Sequence, residues 1–260
     1  MKLSLITNNP ELVYFAEEAG IDRIFIDLER LGKAERQLNE GLFLSDHCLS
    51  DLARVKYVLR KAELMVRVDP LHHGSEAQIN SVIDAGADLV MLPYFHHLDE
   101  ARVFIDIIDN RAASILLVET RQAADILDHV TRLPGLSEVH IGLNDLRLSF
   151  GKAFLYDLIA DGNIDRLCET LRSSGLPFGF GGIASLRQRN LPIPPELILA
   201  YQVCQGASRG WLSRSFRGVE PACWKEDINA IRRAIAIWES ADHGDYQRMR
   251  TRLMRHIGNH

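Results

Sequence analysis

The sequence predicts an α/β fold: a (β/α)8 TIM barrel followed by a C-terminal helical extension. Three observations predict it. Short apolar runs alternate with amphipathic stretches. Eight such units fit in about 250 residues, the usual length of this barrel. The runs are apolar almost throughout, as strands covered on both faces by crossover helices must be. A doubly wound open sheet is the runner-up, but no GxGxxG follows the first strand. No low-complexity linker interrupts the chain, so residues 1–240 are read as one barrel and 241–260 as a helical tail.

In chain order, the strand candidates are LSLIT (3–7), RIFIDLE (23–29), ELMVRVD (63–69), DLVMLPY (88–94), SILLVE (114–119), EVHIGL (138–143), PFGFGGI (177–183) and GWLSRSF (210–216). They are short and rich in Val, Ile, Leu and Phe. Helical stretches lie between them. Ser75 and Gln78 have the spacing of a capping box ahead of Ile79, Val82 and Ile83. Val103, Phe104, Ile107 and Ile108 form an apolar stripe. Gly in DAGAD (84–88) and in SSGLP (173–177) marks helix ends. Extra length falls at 30–62, which holds a polar connection and a helix, and in the tail. There Tyr246, Met249, Leu253 and Ile257 recur at helical spacing, with Arg248, Arg250, Arg252 and Arg255 on a solvated face. The tail is expected to pack on the barrel or on a neighbouring subunit.

Composition narrows the function. With 47% hydrophobic and 25% charged residues the chain is an ordinary soluble globular protein. A net charge of −5 argues against nucleic acid as a partner. No apolar run approaches the roughly 18 residues that cross a membrane, and the first residues lack the apolar core of a signal peptide. Cys48, Cys168, Cys204 and Cys223 are scattered, without CxxC spacing. They read as free, structural thiols of a cytoplasmic protein.

Barrel active sites sit at the C-terminal ends of strands, and polar residues gather there. Asp27 and Glu29 follow Phe25 at period two; Arg67 and Asp69 follow Met65. Glu119 closes the fifth strand, and Asp145 lies in the turn after the sixth. Single acids at strand ends often cap the next helix. This many, with an arginine inside LMVRV, point to a site. A pair of carboxylates with room for water suits a hard divalent cation: Mg²⁺ first, with Mn²⁺ or Co²⁺ as substitutes. His72–His73 and His96–His97 lie in loops after strands three and four. They read as loop-packing residues or as an acid/base. Gly181, Gly182, Ser213 and Arg214 offer an anion site, although close packing explains the glycines equally well.

AGADLVMLPY, LLVET and LPGLSEVHIGLNDLRLSFG closely resemble the HpcH/HpaI aldolase and citrate lyase β-subunit family. FIDLE, MVRVDPL and FGFGGIA are similar to its second, third and seventh strands. The resemblance runs in order over residues 20–216. It implies an oligomeric barrel that makes or breaks a C–C bond beside a 2-oxo acid or an acyl thioester. Glu119 and Asp145 match its metal-ligand positions. Arg67 matches the arginine that steadies an enolate oxygen. Gly142, Leu143 and Asn144 match the turn whose amides receive the substrate carboxylate, and Asp27 and Glu29 match the acids at the end of strand two. Two positions depart from it. Aldolases of the family carry a histidine base one place after the second acid, where this chain has Arg30, which cannot abstract a proton. A glutamine common two places before the metal-ligand Glu is here Leu117.

The expected activity is therefore that of a class II, metal-dependent aldolase. A 2-oxo acid such as pyruvate would form the enolate and an aldehyde would be the second component. The base would be a metal-bound water or one of His72, His73, His96 and His97. The alternatives are an acyl-CoA lyase or hydrolase, with Arg30, Arg214 or Arg217 meeting the cofactor's phosphates, and a non-catalytic barrel that binds a metal–oxo-acid complex. A homo-oligomer is expected.

Overall fold

The computed structural model describes residues 1–33, 45–213, 216 and 218–259. Arg214 and Arg217 lie outside the described residues, as does most of the polar connection after residue 30. The first half of the chain runs β1 (Lys2–Ile6), α1 (Pro10–Ala19), β2 (Arg23–Asp27), α2 (Leu49–Val58), β3 (Glu63–Arg67), α3 (Ser75–Asp84), β4 (Leu89–Leu92), α4 (Leu98–Ile108) and β5 (Ala113–Val118). It continues through α5 (Arg121–Asp125), α6 (Leu127–Val130), β6 (Leu136–Ile141), α7 (Leu143–Ser149), α8 (Asp157–Ala160), α9 (Asn163–Ser174) and β7 (Phe178–Phe180). It then ends with β8 (Gly182–Ile183), α10 (Pro195–Cys204), β9 (Arg209–Leu212), α11 (Trp224–Glu239) and α12 (His243–Ile257).

The described strands pair in parallel in the order β7-β6-β5-β4-β3-β2-β1-β9-β8. The two ends of that order, β7 and β8, are neighbours in the chain. They are halves of the predicted seventh strand, broken at Gly181, whose φ is +61°. One half pairs with β6 and the other with β9, and Ser208 N–H donates to the Phe178 carbonyl (2.8 Å). The nine segments thus form a TIM-type barrel of the predicted class.

Local chemistry sets both ends of α1. The Asn9 side chain caps α1 by accepting from Glu11 N–H, Pro10 opens the helix, and Gly20 ends it in the left-handed region. Two expectations need correction. The N-cap of α3 is Gly74, not Ser75. The Ser75 hydroxyl instead accepts from His72 N–H (2.8 Å), and Gln78 turns to Asp69. On α4 the buried stripe is Ala101, Phe104, Ile105 and Ile108, which leaves Val103 exposed. The four cysteines are free, but Cys48 is exposed rather than structural.

Inside the barrel Phe25, Met65, Leu89, Met91, Ile115 and Leu117 form an apolar layer. Below it, at the N-terminal ends of the strands, Arg23 makes a bidentate pair with Glu138 (2.7 and 2.7 Å) and a third bond to Glu63 (2.8 Å). Arg209 binds the other side of Glu138 (2.9 Å). This plug closes the bottom and leaves the opposite end for a site. Helix α12 packs on the barrel's own helices. Met249, Leu253 and Ile257 are buried, and Arg250 holds Asp165 of α9 (3.0 and 2.7 Å).

Replacing Glu138 with Ala leaves two arginines buried without their shared counter-ion. Losing one partner of such a pair costs on the order of 3–5 kcal/mol. Urea unfolding of Glu138→Ala should show a loss of that size.

Candidate active site

The mouth of the barrel is organised by an ion cluster at the ends of β2 and β3. Period-two geometry brings Asp27, Glu29 and Arg67 to the interior face above Phe25. Arg67 grips Asp27 with two bonds (Nε to Oδ1 2.9 Å, a terminal nitrogen to Oδ2 2.8 Å), lies 3.3 Å from Glu29, and stands over the Phe25 ring. Lys33 completes the cluster, with Nζ 2.7 Å from Asp27 and 3.1 Å from Glu29. Burial works against charge at Asp27, but Arg67 and Lys33 outweigh it and hold its carboxyl well below the usual range. Burial likewise opposes charge on Arg67, yet Asp27, Glu29 and Glu119 push its guanidinium further up, so it stays protonated.

Beside this cluster is a cavity of about 320 Å³ whose wall includes Lys33, Arg67, Glu119, Gly142, Leu143, Asn144 and Asp145. Glu119 is 3% exposed and accepts from Tyr94 N–H (3.0 Å). Its carboxylate lies over Gly142: a Cβ there would sit 2.7 Å from Oε2 and 3.0 Å from the Glu119 Cβ. A side chain at 142 would therefore displace the acid. Asp145 stands in the first turn of α7. The Gly142 amide is already bonded to the Val118 carbonyl (3.0 Å), whereas those of Leu143 and Asn144 open α7, where a helix offers no acceptor of its own.

Several predicted residues lie elsewhere. His72 does not line the cavity; its ring is tied to its own turn by Ser75 Oγ (2.8 Å) and the Pro70 carbonyl (3.2 Å). His96 and His97 give their amides to Glu100, and His73 also lies off the cavity. Asp69 accepts from the amides of Arg30 (2.6 Å) and Leu31 (2.8 Å), so it builds a turn rather than the site. Gly181, Gly182 and Ser213 do line the cavity. The Gly181 and Ser213 amides, however, are spent on the Ile141 and Ile183 carbonyls, which removes them as anion donors. The exposed Arg30 donates to the His47 carbonyl (2.8 Å).

The structure adds residues the sequence did not mark. Lys33 is one. His140 is another: it lines the cavity and stacks on Trp211 (centroids 3.8 Å apart, 3° between planes). Burial is the main cause that pulls its pKa down to about 3, so the ring is neutral. Tyr156 completes the wall as a phenol, pushed up to about 12 by burial.

The sequence model of the HpcH/HpaI aldolase/citrate lyase family matches residues 3–155. The chain belongs to this family. Solved structures agree on the fold. An HpcH/HpaI aldolase from Desulfitobacterium hafniense DCB-2 matches with a TM-score of 0.62 at 13% identity, over 93% of this chain and 94% of its own. The citrate synthase SbnG matches with 0.62 at 16%, over 91% and 92%. An HpcH/HpaI aldolase/citrate lyase family protein from Burkholderia cenocepacia J2315 matches with 0.61 at 16%, over 92% and 95%. No curated protein matches the chain in sequence. Membership in the HpcH/HpaI family makes the chain a lyase of the aldolase/citrate lyase kind acting on small molecules. Among the described residues no helix is long and apolar enough to cross a membrane.

HpcH/HpaI enzymes generally use a divalent metal, and the donor set here can be tested against one. Among the described residues no three His, Cys, Asp or Glu side chains gather as a closed metal site. Two carboxylates completed by water and substrate oxygens are what Mg²⁺ commonly accepts. The charge balance fits as well. The carboxylates Asp27, Glu29, Glu119 and Asp145 line or support the cavity, against the cations Lys33 and Arg67. Among the described residues these carboxylates outnumber the cations, as a dication requires.

Asp27 binds its proton less readily in the folded chain than in the unfolded one. Its contribution to stability is therefore complete above the ordinary carboxylate range, near pH 4, and is lost progressively as pH falls from there toward the depressed value of the folded chain. An acid titration followed by near-UV circular dichroism should show wild type losing its signal below about pH 4, and Asp27→Asn losing part of that acid dependence.

Proposed function

We propose that this chain is a divalent-metal-dependent aldolase or lyase that makes or breaks a C–C bond through a pyruvate-type enolate of a 2-oxo acid. The observation that supports the reading is one cavity lined by Glu119, Asp145 and Arg67, with the Arg67 guanidinium bonded to Asp27. Glu119 and Asp145 would hold Mg²⁺, with Mn²⁺ or Co²⁺ as substitutes. The metal supplies Lewis-acid withdrawal of charge from a carbonyl.

The chain's own residues supply the rest. The amides of Leu143 and Asn144 receive the substrate carboxylate, next to Gly142. Cleavage drives electrons into the keto group, and Arg67 meets the growing negative charge with a donor already fixed in place. Such preorganised donors are each worth about 3–4 kcal/mol in known enzymes. Ile6, Leu155 and Trp211 make part of the wall apolar, which would thin the water beside the carbanion carbon. An acyl thioester would need a cleft for its pantetheine arm; a cavity of about 320 Å³ is suited to a small oxo acid and its aldehyde. Self-association belongs to the same proposal and is supported by Tyr14 and Phe15 on α1 and Tyr57 on α2, which are exposed.

With Mg²⁺ or Mn²⁺, the enzyme should exchange the methyl protons of pyruvate for deuterium, followed by NMR, and EDTA should stop the exchange. Metal binding measured by calorimetry without exchange of any 2-oxo acid would overturn the reading in favour of a non-catalytic barrel. Arg67→Ala should slow the exchange by about 10²–10³-fold while metal still binds. Unchanged exchange would remove Arg67 from its assigned role.

A further inference from the structure

The enolate chemistry needs a group that gives and takes a proton at carbon. Where the family resemblance places a histidine, this chain has Arg30, whose guanidinium is on the His47 carbonyl. The titratable groups of the cavity wall narrow the choice. Arg67 remains charged, and Glu119 and Asp145 are committed to the metal. His140 is neutral and weakly basic, and Tyr156 keeps its phenol proton. Lys33 remains. Its side chain is 3% exposed yet lines the cavity.

The local structure directs this side chain inward. Asp69 accepts from the amides of Arg30 and Leu31, and Lys33 N–H closes the turn on the Arg30 carbonyl (3.3 Å). That turn returns Nζ to Asp27 and Glu29. An ammonium has three N–H donors. Two are directed at these carboxylates, and among the described residues no group claims the third. A lysine serving only as counter-ion to Asp27 and Glu29 would have no need of a place in the cavity wall.

We propose that Lys33 is the proton donor to the enolate carbon in cleavage and, as the free amine, the base in the reverse direction. The proposal rests on the enolate reading above. In cleavage, the substrate's hydroxyl proton leaves to water as its O–H pair closes the aldehyde carbonyl, and the electron pair of the broken C–C bond forms the enolate. The enolate carbon then takes a proton from Nζ, the carbonyl re-forms, and the N–H bonding pair stays on nitrogen. The amine is reprotonated from water, which restores its pairs with Asp27 and Glu29. No oxidant or further reactant is required.

Two reactions of the same enolate separate this role from a structural one. Loss of CO₂ from oxaloacetate forms the enolate before any proton is given or taken at carbon, and is read as CO₂ release; deuterium exchange into pyruvate requires both abstraction and return of a proton at carbon. With Mg²⁺ present, Lys33→Gln should lose exchange by at least about 100-fold and keep a tenth or more of wild-type decarboxylation. Lys33→Arg, which keeps the charge but cannot act as a base, should behave in the same way. Exchange retained within about tenfold in either variant overturns the assignment. Parallel loss of both reactions in both variants also overturns it and makes Lys33 a structural counter-ion. A wild-type enzyme that neither exchanges nor decarboxylates overturns the enolate reading itself, whatever Lys33 does.

Discussion

The grip of Arg67 on Asp27, shared with Glu29 and Lys33, is the interaction on which the mouth of the barrel depends. All four groups are largely removed from water. Separately each would carry a desolvation cost of several kcal/mol. Together they are tolerable because every charge faces its opposite within about hydrogen-bond distance, in a medium that screens poorly. The arrangement also fixes direction. Asp27 takes two of the Arg67 N–H donors, so the guanidinium is fixed in place where it lines the cavity. A donor held this way pays little reorganisation when charge develops in front of it.

Much of this was legible in the sequence because strands have an exact side-chain period. Once RIFID and ELMVR are read as strands, Asp27 and Arg67 must share the interior face with Phe25 and Met65, and parallel pairing sets them opposite each other, as the Asp27–Arg67 register confirms. Glu119 and Asp145 were legible for the same reason: strand ends converge at the barrel mouth even when they are far apart in the chain. Lys33 was not. It sits in a turn held by long-range bonds from Asp69, and no periodicity governs where a turn sends its side chains. His140 was hidden differently. A single histidine in an apolar strand carries no pattern, and its partner Trp211 lies 71 positions further along the sequence.

The misplacements have equally local causes. Ser75 and Gln78 have the spacing of a capping box, but competing partners, His72 and Asp69, lie within hydrogen-bond reach, and they win. The same contact takes His72 away from the cavity. Val103 and Phe104 both looked apolar enough for the stripe on α4; only the packing against the sheet decides which side of the helix turns inward, and Ala101 and Ile105 go with Phe104. The seventh strand could not be seen to break because Gly181 sits among other small residues, and its positive φ is a requirement of closure with β9, a long-range event.

The barrel carries two ion clusters separated by an apolar layer, and their difference explains why only one of them is suited to take a ligand. At the bottom, Glu138 is enclosed by Arg23 and Arg209, and Glu63 by Arg23 and Lys2, so each carboxylate there is matched by at least one cation. The space among them is only about 10 Å³, enough for a single water at most. At the mouth, the cations Arg67 and Lys33 are already engaged by Asp27 and Glu29, and Glu119 and Asp145 bring further negative charge to a cavity of about 320 Å³. A balanced, filled cluster has nothing to gain from a ligand and serves to hold strands together. A cluster whose carboxylates line an open cavity gains Coulomb energy from a cation and then from the anion that cation attracts, which is the order in which a metal and an oxo acid would assemble there.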